Sequence, residues 1–337
     1  MLLIVASILA LMFLNLVLGS VSIPLKSVWN IVCGLGDEPV TWQNIVWKSR
    51  LPQALTALVA GAGLAISGLQ MQTVFRNPLA GPSVLGISSG ASMGVAFVVL
   101  LSGSLGGVAL SKLGFMGEIA LSIAAVIGSL SVMALIVYVS QKVKGNVTLL
   151  IIGVMIGYVA NAVIGVLKFF SVEEDIRAYV IWGLGSFSRV SGNQMMLFVA
   201  IMAILIPLSF LLIKTLNLML LGDGYARNLG LNIKRARLLV ITSAGVLTAI
   251  VTAYCGPVIF LGLAVPHLCR AIFQTSDHRV LMPAVLFAGA ALALACNLIA
   301  RMPGFEGALP VNSVTAVVGA PVVASVLFSK RKNELNE

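Results

Sequence analysis

Charge is what this chain has least of. Asp, Glu, Lys and Arg make up 9 % of its 337 residues, against about a quarter in soluble domains. A surface built from so few charges cannot stay dissolved, so a soluble globular protein is excluded. Acids are the scarcer sign, with 11 against 21 basic residues. All of them fall in expected loops, at the edges of apolar segments or in the tail. Ion-coupled carriers place Asp, Glu or His inside their spans, and no such proton relay is visible here. The phosphate-binding pattern GxxxxGK[ST] is missing, and no Lys even follows a Gly. That excludes ATP binding through a P-loop. A transporter with neither motor nor relay draws its energy from a partner.

Cysteine and histidine are also sparse. The four cysteines, Cys33, Cys255, Cys269 and Cys296, form no CxxC pair, and three lie in or beside apolar segments. They read as small buried hydrophobes. His267 and His278 have no ligand-type partners at metal spacing. His278, in QTSDHR, is expected to be solvated. His267, in VPHLCR, is placed at a helix end with a capping or packing role.

What is present is apolar sequence. Hydrophobic residues make up 59 % of the chain and the mean hydropathy is +1.08. At ~20 residues per bilayer span, the length accommodates about ten helices and short loops. The candidate spans are 2–19, 51–74, 80–102, 118–140, 147–170, 191–213, 237–254, 257–273, 281–300 and 311–328. One transmembrane domain over 1–337 is expected, with no separate soluble domain. The first segment lacks a basic n-region and a small-residue cleavage site, so it reads as a retained span rather than a signal peptide. With the N-terminus inside, 13 Lys and Arg face the cytoplasm and 8 face out. The positive-inside rule therefore puts both termini in the cytoplasm. The net charge of +10 reads as topology. Nucleic acid is not an expected partner, because the basic residues form no clustered face.

The segment RNPLAGPSVLGISSGA, Arg76 to Ala91, breaks this pattern. It sets prolines, glycines and serines where a simple span would be continuous Leu, Val and Ile. Irregular backbone survives at membrane depth only inside protein or beside a water-filled cavity, and interrupted spans point to a transport pathway. The third and eighth spans are the weak ones, both rich in Gly, Ser or Pro. Cys255-Gly256-Pro257 separates spans seven and eight as a tight turn or break. The longest inner loop, Lys214 to Arg237, contains GDGYARNLG from Gly222. It reads as a turn with Asp223 as N-cap, a short helix over Tyr225 to Leu229, and Gly230 as C-cap. Such a piece suits docking into a groove of a soluble protein; an ordinary basic loop is the alternative.

Five motifs stand in order: Arg50-Leu51-Pro52, SGLQMQTVFRNPLAGPSVLGISSGA from Ser67, GDGYARNLG from Gly222, GPVIFLGLAVPHLCR from Gly256 and ALPVNSVTAVVGAP from Ala308. Together they resemble the FecCD/BtuC-type permeases, the membrane subunits of bacterial ABC importers for iron–siderophore complexes, haem and cobalamin. The resemblance runs from about Ile23 to Phe328. It implies an all-α polytopic subunit of ten helices, with helices two to five and seven to ten forming an inverted repeat. It implies a homodimer in the inner membrane, two cytoplasmic ATPase subunits that bind the ATP, and a substrate-binding protein outside. No cofactor or metal of its own is implied, and no catalytic residue.

Site residues follow from the same resemblance. Asn77 and Leu79 match positions near the inner gate. Gly145 and Asn146 match a second gate loop, where Asn146 departs from the family's small hydroxyl residues. Ile151, Met155 and Tyr158 match a pathway-lining helix; facing lipid or core is the alternative. Gly222, Asp223, Ala226, Leu229 and Gly230 match the ATPase-coupling segment. Arg50 and Arg301 match outer arginines that meet acids of the binding protein, and Gln53 replaces a second Arg common there. An iron complex, siderophore or haem, is the favoured cargo, with cobalamin as the alternative. A secondary carrier, disfavoured by the missing intramembrane acids, and an assembly subunit without a pathway, disfavoured by the broken spans, are the other classes.

Overall fold

The computed structural model describes residues 1–104, 115–143, 145–190, 192–302 and 308–334. The described residues contain helices and turns but no strand. Six helical segments are long and apolar enough to cross a membrane: Val40–Phe75, Met116–Lys142, Val147–Phe169, Gly192–Phe210, Ile233–Cys255 and His278–Ala300. Four shorter apolar helices accompany them, at Leu2–Val17, Ile87–Leu101, Leu261–Phe273 and Val311–Ala324.

In chain order the α-helices are α1 (Leu2–Val17), α2 (Leu25–Cys33), α3 (Val40–Asn44), α4 (Leu51–Phe75), α5 (Ile87–Ser104), α6 (Phe115–Lys142), α7 (Asn146–Phe169) and α8 (Glu173–Gly183). They continue as α9 (Gly192–Phe210), α10 (Ile213–Leu220), α11 (Asp223–Asn228), α12 (Ile233–Cys255), α13 (Leu261–Phe273), α14 (His278–Ala300) and α15 (Val311–Glu334). A π-helical stretch, Ile45–Arg50, joins α3 to α4 without a break. The expected second span is therefore the end of a longer helix. The expected third span begins as a turn and a 3-10 piece, Pro82–Leu85, before α5. Helices α2, α8 and α10 were not among the expected spans. All three are short, and too polar or too brief to register as runs of hydropathy.

Helix α4 is the axis of the molecule. In its membrane window 83 % of residues are buried, against 22 % for α7 and α9. Glycine makes this possible, because small residues let helix backbones approach where lipid supplies no hydrophobic drive. Gly61 of α4 lies against the Gly289 carbonyl of α14, and Gly68 against the Gly262 carbonyl of α13. A Cβ at either position would overlap that backbone. Gly90 and Gly94, one turn apart on α5, meet Gly128 and Ala124 of α6 in the same way. Ser67 bridges α4 to α12, its Oγ lying 2.8 Å from the Ala244 carbonyl oxygen and 2.7 Å from Thr248 Oγ1.

Two histidine expectations are corrected here. His278 is buried, 1 % exposed. Its Nε2 lies 2.8 Å from Thr73 Oγ1 and its Nδ1 2.8 Å from Asn217 Oδ1. The polar sequence around it is a loop, but Asp277 caps α14 through the Arg279 N–H and turns His278 inward. His267 sits in mid-helix on α13 with neither ring nitrogen hydrogen-bonded. It packs and does not cap. Cys255, Cys269 and Cys296 are buried as expected, while Cys33 is exposed.

Candidate functional site

Three groups of residues matter: a polar slot beside α7, the plate of helix ends around Arg76, and the arginines at the opposite end of α4. The slot forms where the interrupted span meets α7. The 3-10 turn Pro82–Leu85 ends at Gly86, whose φ of +76° favours glycine. The turn packs on Gly153, where a Cβ would lie 2.8 Å from the Val84 carbonyl oxygen. Ser83, Ser89, Tyr158 and Asn161 surround the resulting cleft of about 240 Å³. The rest of its lining is Val and Gly, so the hydroxyl and amide groups are what the slot offers for hydrogen bonding. Tyr158, expected on a pathway-lining helix, borders this slot. Met155 lines a different, almost wholly apolar groove with Met93, Leu135 and Val159. Ile151 lines neither cleft and is exposed. Sequence reasoning missed Ser83, Ser89 and Asn161. The Gly153/Gly157 spacing, which lets the turn approach α7, was the signal available.

Helix α4 ends at Arg76 in a left-handed conformation, φ +48°. The Asn77 N–H reaches the Gln72 carbonyl at 3.2 Å and the Arg76 N–H reaches that of Thr73 at 3.3 Å. This is a Schellman ending on a residue other than glycine, and such conformations cluster at functional segments. Asn77 Oδ1 then accepts from the Leu79 N–H at 2.9 Å, shaping the turn. Leu79 is exposed at its tip. Gly145 is the extended N-cap of α7. Asn146 opens that helix, but its side chain lies outside the described residues.

The coupling segment folds as a short helix, with one correction. Gly222, at φ +97°, is the N-cap of α11, and Asp223 is its first residue without a capping bond. The Asp223 carboxylate accepts instead from Arg76 and lies 3.9 Å from Arg237. A left-handed N-cap turns the side chain that follows it away from the helix N–H groups. At the other end the helix stops at Asn228 with Leu229 as its cap, one residue before the Gly230 expected there. Gly230 is left-handed at φ +86°, its N–H meets the Arg227 carbonyl at 2.9 Å, and the Leu231 N–H meets that of Ala226 at 2.9 Å. Ala226 is buried, while Tyr225 and Leu229, one turn apart, are exposed.

This end of the molecule is knitted together. The Asn217 side chain on α10 donates to Asp277 Oδ1 at 2.6 Å and accepts from the His278 N–H at 2.9 Å. Hydrogen bonds from the Arg279 N–H and then from Asn217 hold the Asp277 carboxyl below its ordinary range. Arg270 on α13 donates to Gln72 of α4. The ends of α4, α10, α11, α13 and α14 therefore form one plate, and Arg76 ties it to α11.

At the other end, Arg50 departs from the expectation of an outward-facing docking residue. It is 1 % exposed. Its Nη1 donates to the Leu16 and Val17 carbonyls at 2.8 and 2.6 Å, and its Nη2 to that of Val21. Burial follows because α1 ends beside it and leaves carbonyls without intrahelical donors. Arg301 is half-buried, with Nη1 unpartnered among the described residues. Both guanidinium groups border Gly19, so any Cβ there would sit 3.1 Å from Arg301 Nη2 and 3.2 Å from Arg50 Nη2. Glu306, the nearest acid in sequence to Arg301, lies outside the described residues.

The FecCD transport family matches residues 6–329. This chain belongs to that family. Among FecCD relatives, the vitamin B12 import system permease protein BtuC of Klebsiella pneumoniae is 36 % identical over 289 residues, 86 % of this chain and 84 % of that permease. The hemin transport system permease protein HmuU of Yersinia pestis is 33 % identical over 317 residues, 94 % of this chain and 91 % of its own length. Among solved structures, a metal-chelate type ABC transporter in an inward-facing conformation superposes with a TM-score of 0.82 at 26 % identity, covering 97 % of both chains. Family membership sets the interrupted span and the GDGYARNLG helix in the context of membrane transport subunits.

Proposed function

We propose that this chain is the membrane permease subunit of a binding-protein-dependent ABC importer, carrying a metal chelate across the inner membrane. The observation that carries the reading is the polar slot of Ser83, Ser89, Tyr158 and Asn161 on α7, in a chain whose relatives are import permeases. In this reading residues 1–337 form one domain. The six long and four shorter apolar helices give ten membrane helices, and helices two to five and seven to ten form an inverted repeat. Both termini are cytoplasmic. Two copies meet across the exposed face of α7, so that paired slots form the pathway. Asn77, Leu79, Gly145 and Asn146 close its inner end.

ATP is bound and hydrolysed by two partner subunits, and this chain needs no cofactor. The exposed Tyr225 and Leu229 on α11 supply the knob that the partner receives, while Gly222, Asp223, Ala226 and Gly230 shape it. A substrate-binding protein meets the opposite face through Arg301. The cargo is an iron complex, siderophore or haem; cobalamin is the alternative, and relatives handling vitamin B12 and hemin both support a bulky chelate. Reconstitution into vesicles tests this. Uptake is expected only with the ATPase, the binding protein and ATP together, and ligand binding by the cognate binding protein identifies the cargo. Hydrolysis by the permease alone, or uptake driven by an ion gradient without ATP, overturns the proposal.

A further inference from the structure

Beside α11 lies a second cleft that the transport reading does not use. It has a volume of about 340 Å³ and opens between the last turn of α6, α11 and the start of α12. Lys142, Arg227, Lys234 and Arg237 line it, with Asp223 the only acid among the described residues there. That one carboxylate is shared between Arg76 and, at 3.9 Å, Arg237, so the cations facing the cleft outnumber the acid. Arg237 is the decisive residue. It is 8 % exposed, and its Nε has no hydrogen-bond partner among the described residues. A buried guanidinium N–H without an acceptor is costly unless something supplies one. The α6 wall adds Gln141, whose side-chain amide bears a further donor, while the Ser140 hydroxyl donates to the Val137 carbonyl at 2.8 Å.

We propose that this cleft binds the phosphate of an anionic phospholipid headgroup from the surrounding leaflet. Several cations with fixed donors suit phosphate oxygens, and basic pockets at the ends of membrane helices take anionic headgroups. The position selects a lipid over a soluble anion. Residues Ser140 to Val143 close the lipid-facing helix α6, whose membrane window is only 33 % buried in the chain. Val143 and Ile233 at the rim suit the start of acyl chains. Lys142 Nζ stands 5.4 Å from the centroid of the Tyr138 ring, which holds the ammonium at the end of the span. A lipid seated here touches both α6 and the α11 segment, and so braces the coupling region against the bilayer. That last role rests on the permease reading; the headgroup site does not, since phosphate lies at both membrane surfaces.

The test uses the full-length chain in nanodiscs of phosphatidylcholine with graded phosphatidylglycerol, in which retention of each lipid is read by native mass spectrometry. Wild type is expected to retain phosphatidylglycerol over phosphatidylcholine. Arg237→Gln with Lys234→Gln is expected to reduce that preference about tenfold or more, given the contribution of each cation near a headgroup. Lys234 is exposed, so Lys234→Gln alone keeps the test valid should the Arg237 variant misfold, with a smaller loss in the same direction. Millimolar inorganic phosphate is expected to leave lipid retention unchanged. Equal retention in wild type and variants overturns the proposal. So does variant-sensitive binding of inorganic phosphate without lipid selectivity. A third contrary result is displacement of the lipid by the ATPase, with Lys234→Gln weakening ATPase binding; that identifies the occupant as an acidic protein surface. Loss of uptake in a variant that still selects phosphatidylglycerol would bear on the transport reading and leave the site intact.

Discussion

Arg50 and Arg301 stand side by side, yet their surroundings give them different work. Arg50 meets three backbone carbonyls at the end of α1 and is sealed from solvent. Arg50→Gln should therefore cost stability, about 1–3 kcal/mol for carbonyls left without donors. The midpoint of thermal unfolding in detergent measures it. Arg301 makes no such set of carbonyl bonds among the described residues and is only half-buried, so Arg301→Glu should lower that midpoint less than Arg50→Gln does. It should slow association with the binding protein, most at low salt, because steering by exposed charge is screened. If Arg50→Gln unfolds at the wild-type temperature while slowing association, the roles are reversed. Glycine divides in the same manner. Gly68→Ala drives a methyl group into the Gly262 backbone, and overpacking of this kind costs about 1–3 kcal/mol. Gly165→Ala, where nothing described in the same copy lies within 4 Å, should be neutral or stabilising for the fold of one copy, since alanine is the better helix former.

Between elements, the contact that matters most is Arg76 with Asp223. It joins the end of α4 to α11 across 147 residues of sequence. Both side chains are more than 40 % exposed, so the pair adds little to global stability, roughly 0–1 kcal/mol. Its effect belongs to positioning. Arg76→Asp and Asp223→Arg should each impair ATP-driven uptake with little change in unfolding temperature, and the double exchange should restore much of it. Arg237 stands 3.9 Å from the same carboxylate and would repel an arginine at 223, so restoration should be partial. Two single variants that transport normally would show that α11 needs no such tie. Ala226→Pro should abolish uptake in any background. Residue 226 is buried against the plate, and proline clashes within a helical turn.

For the whole molecule, α4 is enclosed and α7 is not. A helix with 22 % burial and a polar slot on its open face lacks a neighbour that this chain can supply. In the proposed dimer the neighbour is the second copy. Tyr158→Cys, placed in a Cys33→Ser background, should form an intermolecular disulfide in native membranes. Leu2→Cys, on the outer helix α1, should not, because α1 packs along α14 and turns its other side outward. Cross-linking equal at both positions, or absent at Tyr158, would remove α7 from the dimer axis.

Sequence alone determined the class of this protein. Low charge and long apolar runs reflect transfer free energies that each residue carries wherever it sits, so membrane helices and their approximate limits are legible without a fold. The break at Arg76 to Ala91 and the Gly230 ending of α11 are local in the same sense, since proline and glycine act on their own backbone. Tertiary structure decided the rest. It made His278 a buried link to Thr73 and Asn217, turned Asp223 from an N-cap into the partner of Arg76, and drew Arg50 inward to α1. In each case the partner is distant in sequence, and a side chain's hydrogen bonds depend on which backbone folding brings beside it. The same holds for the slot on α7 and the basic cleft beside α11. Both are spaces between helices, and no single helix contains the information that encloses them.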